Sequence, residues 1–331
     1  MVLTVGRSPV RALRNHGQGR VSLVESQDPV PGPGDALVRI EASAVCGSER
    51  GALMEGVDGN TGHEAAGTLV DPGSSRFRAG DRVGLSAVVG CGECDRCTAR
   101  QELHCRRGPC SAAKSGGWHA ELAVVSPSAL RELPPGMDAG VGALFTGDAL
   151  GVPSRGYGRV PSEPAERVLV IGLGPVGLGH VLVRAFEGAE VVAIEPAEFR
   201  RDLALKLGAR AVGRPGDDIG HRPRLVIECS GRPESIAYAL DVVDNGGVVL
   251  QSGECHSDVL INPSDTFIRR EITYTGAWYY ATEDYPAMCA LHERGLPLAH
   301  MCTHDVDAAH AQDAITDFLG QRAGKVLLRW S

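Results

Sequence analysis

The chain has 331 residues, 43% of them hydrophobic and 22% charged, with a formal net charge of −8. That length fills two ordinary domains, each able to bury its own core, and the acidic balance disfavours nucleic-acid backbones and anionic membranes as partners. No apolar run approaches the roughly 18–20 residues that span a bilayer. The opening stretch MVLTVGRSPVRALRNHG has neither an apolar signal core nor a small-residue cleavage site, so a cytoplasmic enzyme is expected.

Residues 1–150 carry short alternating apolar stretches broken by Gly and Pro, as in ALVRIEASAV at 36–45 and GTLVDPG at 67–73. This texture predicts strands and turns. The stretch GVPSRGYGRVPSEPAE at 151–166 reads as a domain junction or connecting helix. From there strand and helix alternate. RVLVIG (167–172) and VVAIE (191–195) are apolar strands, followed by helical spacing in GPVGLGHVLVRAFEG and EFRRDLALKLG; RLVIECSG, PESIAYALDVV, GGVVLQSG and ITYTGAW continue the pattern. Strands buried on both faces and joined by helices make a doubly wound parallel sheet, so the fold class is α/β with a β-rich first half. An amphipathic helix, DAAHAQDAITDFL, and the strand-like KVLLRW close the chain.

Six of the ten cysteines are scattered, but Cys91, Cys94, Cys97 and Cys105 crowd into CGECDRCTARQELHC. Two C-x-x-C knuckles turn the backbone tightly enough to close four thiolates around zinc. An all-Cys site leaves no open coordination position, so this zinc is structural. The second motif is GLGPVG, in which Gly172, Gly174 and Gly177 follow an apolar strand and open a helix, with Pro175 and Val176 between them. The first glycine allows the tight turn, the second admits a pyrophosphate to the backbone, and the third allows close helix packing. The helix N-terminus then offers unpaired N–H groups to phosphate. Glu195 ends the next strand, where a carboxylate binds ribose hydroxyls and repels a 2′-phosphate, which favours NAD over NADP. Arg200 and Arg201 are the nearest candidates for a 2′-phosphate clamp.

A third set is scattered: Cys46 in AVCGSER, His63 and Glu64 in TGHEAAG, and Asp148 in FTGDALGV. Cys, His and a carboxylate suit a catalytic zinc with one open position. Each residue also has a plain alternative, as a buried thiol, a core histidine or a turn residue, and spacing alone does not decide between them.

Cys46 within CGSE, the stretch GHEAAGTLVDPGSSRFRAGDRVG, the four-cysteine lobe and GLGPVG occur in that order along nearly the whole chain. In this the sequence resembles the zinc-dependent medium-chain dehydrogenase/reductase family of alcohol and polyol dehydrogenases. The resemblance implies a GroES-like catalytic domain at 1–151 carrying the lobe at 91–105, a Rossmann cofactor domain at 152–278, and a segment at 279–331 returning to the catalytic domain. It implies Cys46, His63 and Asp148 as catalytic zinc ligands, with Glu64 an adjacent carboxylate that exchanges with bound water. Ser48 matches the hydroxyl that passes on the substrate proton, and Glu49 replaces the usual Asp that orients the zinc histidine. Val152 falls beside the nicotinamide, and Arg322 is placed to reach the pyrophosphate. Only sixteen residues separate Cys46 from His63, fewer than in polyol dehydrogenases, and Arg50 and Gly51 follow Ser48 where a relay histidine would stand. His104, His119 and His180 are expected to be structural.

The resulting expectation is a zinc- and NAD-dependent oxidoreductase that moves hydride between NAD and a secondary alcohol of a polyol, sugar or cyclitol. Its partners are a small alcohol or ketone and further copies of itself, as a homodimer or homotetramer, with no nucleic acid and no membrane. A primary alcohol/aldehyde or amino-alcohol dehydrogenase is the alternative within the family. A non-catalytic nucleotide-binding protein on the same fold is the alternative outside it, and the full set Cys46, Ser48, His63 and Asp148 argues against it.

Overall fold

The computed structural model describes residues 9–330. The first eight residues, on which the reading of the N-terminus partly rests, lie outside the described residues. The chain packs as two units. One comprises the residues up to Gly147 together with 304–319 and 326 onward; the other comprises 148–303 with 320–325.

In the first unit the alternating stretches become a seven-stranded sheet. Its order is Cys302–Asp307, Lys325–Arg329, Ala36–Val45, Glu64–Asp71, Arg82–Leu85 and Leu130–Glu132, with Leu122–Val125 also pairing Ala36–Val45. The strand Ala36–Val45 is the hub, antiparallel to Lys325–Arg329, Glu64–Asp71 and Leu122–Val125. Its sequence suits that place: Ala36, Val38, Ala42, Ser43 and Ala44 are fully buried, and small side chains let neighbouring elements approach both faces. A hairpin of Val10–Gly17 and Arg20–Ser26 lies beside this sheet in the chain order. Helix Ala139–Thr146 starts at Asp138, whose carboxylate accepts the N–H groups of Gly140 and Val141, satisfying two of the donors a helix start leaves open.

The second unit holds the expected parallel sheet. The strands run Ala211–Gly213, Glu190–Ile194, Arg167–Ile171, Leu225–Glu228, Val248–Gln251 and Thr273–Gly276, each pair parallel. Numbered along the chain, the spatial order is 3-2-1-4-5-6, so the direction of winding reverses between Arg167–Ile171 and Leu225–Glu228. Ligands of such sheets bind beyond the carboxyl ends of the strands at that reversal. Of the stretch predicted as a junction or connecting helix, residues 151–159 lie in helix Asp148–Arg159, with Pro153 inside it, and 160–166 lie outside it. Among the described residues no helix is long and apolar enough to cross a membrane.

Candidate active site

The four-cysteine lobe is assembled locally. Each of Cys91, Cys94, Cys97 and Cys105 offers a sulfur, and the four sulfurs lie within 4.8 Å of one another. Tetrahedral zinc–thiolate bonds of about 2.3 Å place sulfurs about 3.8 Å apart, and the Cys91 and Cys97 sulfurs lie 3.9 Å apart, so the set fits one zinc ion. The electrostatics point the same way. Backbone N–H groups of Glu93 and Cys94 hold the Cys91 thiol below its ordinary value. The Arg106 and Cys97 N–H groups bring Cys94 down to about 6, while burial pushes Cys97 up to about 12. Thiols this close cannot all ionise beside one another, and a central cation removes the conflict.

The scattered set also converges. Cys46, His63, Glu64 and Asp148 each offer a ligand atom, and these atoms lie within 4.8 Å of one another. Cys46 precedes a single helical turn, Gly47–Glu49, and Glu64 opens the strand Glu64–Asp71. Asp148 follows Gly147 directly and opens its helix. Cys46 and Glu64 are buried, His63 is half-buried and Ser48 is exposed. His63 Nδ1 pairs with the Thr61 carbonyl at 3.0 Å, which leaves Nε2 as the ligand nitrogen, and Ser48 Oγ lies 3.3 Å from it. A thiol, an imidazole whose other nitrogen is tied to a carbonyl, and two carboxylates are a donor set that fits zinc.

Glu49 is buried beside these ligands. Oε1 accepts the Cys46 N–H at 2.9 Å, Oε2 accepts His119 Nε2–H at 3.0 Å, and the Thr61 hydroxyl donates to Oε2 at 3.4 Å. With one methylene more than Asp, the carboxylate reaches His119. Burial alone would push this carboxyl up; the charge and hydrogen bond of His119, the charge of His63 and the Cys46 N–H outweigh it and bring it down to about 2. His119, expected to be structural, is thus the partner of a residue beside the ligands. Seventy residues separate the two in sequence, and only the unusual Glu at position 49 hinted at a different partner. Arg50 donates from Nη1 to the Leu319 carbonyl at 2.9 Å, so it serves the C-terminal helix rather than a relay.

In the second unit, Gly172 takes φ +85°, and a Cβ at Gly177 would lie 1.9 Å from the Gly172 carbonyl oxygen. Only glycines close this turn. At Gly174, which precedes helix Pro175–Phe186, a Cβ would meet nothing within 4 Å, so the backbone there is open to a phosphate group. Glu195 is buried, with Oε2 accepting the Leu173 N–H at 2.7 Å and Oε1 the Ala197 N–H at 3.0 Å. Arg201 donates to the carbonyls of Glu195 and Pro196 at 2.8 and 2.6 Å, which removes it as a phosphate clamp. Arg200 Nε points to the Ala323 carbonyl at 3.4 Å, Arg322 is exposed, and Val152 is buried within helix Asp148–Arg159. The sequence reading missed Glu228. Its buried carboxylate accepts the N–H groups of Ser230 and Gly231 at 2.8 and 3.0 Å and Gln251 Nε2–H at 2.6 Å, shaping the turn against which Gly172 packs. An acidic residue ending an apolar strand before Cys-Ser-Gly was its only signal.

Comparison with known proteins agrees with this geometry. Residues 32–135 match the alcohol dehydrogenase GroES-like domain, and residues 175–294 match the zinc-binding dehydrogenase family. The chain is 30% identical over 277 residues to the L-threonine 3-dehydrogenase of Pyrococcus furiosus, covering 77% of this chain and 78% of that protein. It is 26% identical over 323 residues to the "Probable D-xylulose reductase A" of Aspergillus clavatus, covering 89% of each. A protein of Sinorhizobium meliloti 1021, solved bound to NADP, superposes with a TM-score of 0.84 at 25% identity, over 98% of this chain and 100% of that one. The chain belongs to the zinc-dependent medium-chain dehydrogenase/reductase family and is an alcohol/polyol dehydrogenase of that family.

Proposed function

We propose that the protein oxidises a secondary alcohol of a polyol, sugar or cyclitol with NAD, at a zinc ion held by Cys46, His63 and Asp148. The observation that carries this is the convergence of Cys46, His63, Glu64 and Asp148 within 4.8 Å. Bound zinc supplies Lewis acidity toward the alcohol oxygen, and bound NAD accepts the hydride. The chain's own residues do the rest. Ser48, exposed and beside His63, takes the alcohol proton and passes it toward solvent. Glu64 would be an adjacent carboxylate able to exchange with bound water. Gly174, Pro175, Val176 and the open start of their helix receive the pyrophosphate, with Arg200 and Arg322 as flanking cations and Val152 beside the nicotinamide. The four lobe cysteines hold a second zinc, which is structural.

Glu195 supports NAD over NADP. Both its oxygens are already fixed by backbone N–H groups, so the carboxylate stays in place against a 2′-phosphate, and Arg201 is engaged elsewhere. We assign 1–151 and 279–331 to a catalytic domain and 152–278 to a cofactor domain; the packing divides beside Gly147, with 304–319 and 326 onward in the first unit and 279–303 and 320–325 in the second. The exposed Tyr274 and Trp278 on and beside the edge strand Thr273–Gly276 support association of two or four copies. The P. furiosus relative favours a second reading, a secondary amino alcohol as substrate. A panel of polyols, cyclitols, amino alcohols and primary alcohols, followed by NADH and NADPH absorbance with metal content measured alongside, tests both. Turnover confined to primary alcohols, or no turnover by the zinc-loaded protein, defeats the proposal.

A further inference from the structure

We propose that His119 is a positioning residue for the dehydrogenase reaction: through Glu49 it holds the Cys46 turn and the Thr61–His63 turn in the geometry that presents both ligand atoms to one ion. This rests on the zinc reading of Cys46 and His63.

The connections are short and buried. Trp330 Nε1–H donates to Ser43 Oγ at 2.9 Å, and Ser43 Oγ lies 2.8 Å from His119 Nδ1. Indole only donates, so the Ser43 oxygen accepts from it, and the same oxygen holds the His119 ring at Nδ1. The Glu49 carboxylate only accepts, so His119 Nε2 carries a proton, facing Oε2 at 3.0 Å. Glu49 then ties together both ligand-bearing turns, accepting the Cys46 N–H with one oxygen and the Thr61 hydroxyl with the other. The Thr61 carbonyl in turn holds His63 Nδ1. A second clamp acts on the backbone. Asn60 Oδ1 accepts the N–H groups of Gly62 and His119, and Asn60 Nδ2 donates to the carbonyls of His119 and Leu13, each at 3.1 Å. The side chains of His119 and Glu49 are 4% and 1% exposed, so water cannot replace either partner. Without His119 the Glu49 carboxylate keeps one strong donor and a long hydroxyl contact, and it must turn toward another group.

The test compares His119→Phe, His119→Gln and Ser43→Ala with the wild type. Cys46→Ser serves as the reference protein that holds the lobe zinc alone. Zinc affinity of the Cys46 site is measured by chelator competition, with kcat, KM for NAD and Tm on the same samples. Loss of an outer partner of a metal ligand typically costs about 10–100-fold in metal affinity or activity. His119→Phe is expected to lose zinc affinity and kcat by such a factor with KM for NAD unchanged. Ser43→Ala should move the same way by less, and His119→Gln, whose amide N–H reaches the Nε2 position, should recover much of both. Wild-type zinc affinity and kcat in His119→Phe, with only Tm lowered, overturn the proposal while leaving the zinc reading intact. If His119→Phe does not fold, unchanged zinc affinity and kcat in Ser43→Ala overturn it equally. A Cys46→Ser protein that binds as much zinc as the wild type overturns both the proposal and the zinc reading beneath it.

Discussion

At the scale of single residues, the third protein ligand is the most informative position to change. Asp148 is both a member of the convergent donor set and the first residue of its helix. Asp148→Asn keeps the shape and a group suited to a helix start but replaces an anionic donor with a neutral one. The expected outcome is loss of one zinc per chain and most of the turnover, with Tm and NAD affinity close to wild type. Retention of both zincs and a near-normal kcat would give the position to Glu64. Glu195 offers a second test. With its carboxylate fixed by Leu173 and Ala197 N–H groups and Arg201 bound to carbonyls, the wild type should show the higher kcat/KM with NAD. Glu195→Ala should narrow that gap by weakening NAD use and relieving the repulsion of a 2′-phosphate. A wild type equally efficient with NADP contradicts the assignment.

At the scale of elements, one carboxylate joins a helix to the C-terminal strand. Asp138 caps helix Ala139–Thr146 and pairs with Arg329 Nη1 and Nη2 at 3.0 and 2.9 Å, while Arg329 also meets Asp305 at 2.7 Å. The hydrogen bond from Arg329 holds the Asp138 carboxyl below its usual range, against a smaller desolvation effect and with help from the capped N–H groups. A depressed native pKa stabilises above the unfolded value of about 4 and loses that stabilisation as pH falls through the native value. Asp138→Asn preserves the cap and removes the ion pair. The pair is partly exposed, so the expected cost at pH 7 is about 0.5–1 kcal/mol. Chemical denaturation at a series of pH values should show this difference shrinking below about pH 4. A difference that stays constant from pH 7 to pH 3 assigns it to packing instead.

At the scale of the whole molecule, the two donor clusters have different duties and should fail differently. Structural zinc is coupled to folding, so Cys94→Ser should lower Tm and leave one zinc per folded chain. Cys46→Ser should abolish turnover and also leave one zinc, with the chain folded and its Tm little changed. Metal analysis beside circular dichroism checks both, and a wild type saturated with a single zinc would falsify one of the two sites. The same division explains why the clusters were not equally legible. Four cysteines in fifteen residues are brought together by two tight turns, whereas Cys46, His63 and Asp148 meet only once a sheet has formed.

Sequence alone determined what depends on neighbours along the chain. Apolar periodicity set the parallel strands, because alternation of strand and helix is a local property of burial. The spacing of GLGPVG set the phosphate-binding turn, because a Cβ at Gly177 collides with a carbonyl only five residues away. The cysteine spacing set the lobe. Tertiary structure decided the partners of residues far apart in the chain. The register that pairs Arg39 with Leu122 carries His119 alongside Ser43, and from there to Glu49, whose extra methylene makes the contact. Arg201 looks like a phosphate clamp in sequence, yet two backbone carbonyls claim it in the fold. A buried charge or donor takes whichever partner the packed chain brings within about 3 Å, and that distance is a property of strand register rather than of residue type.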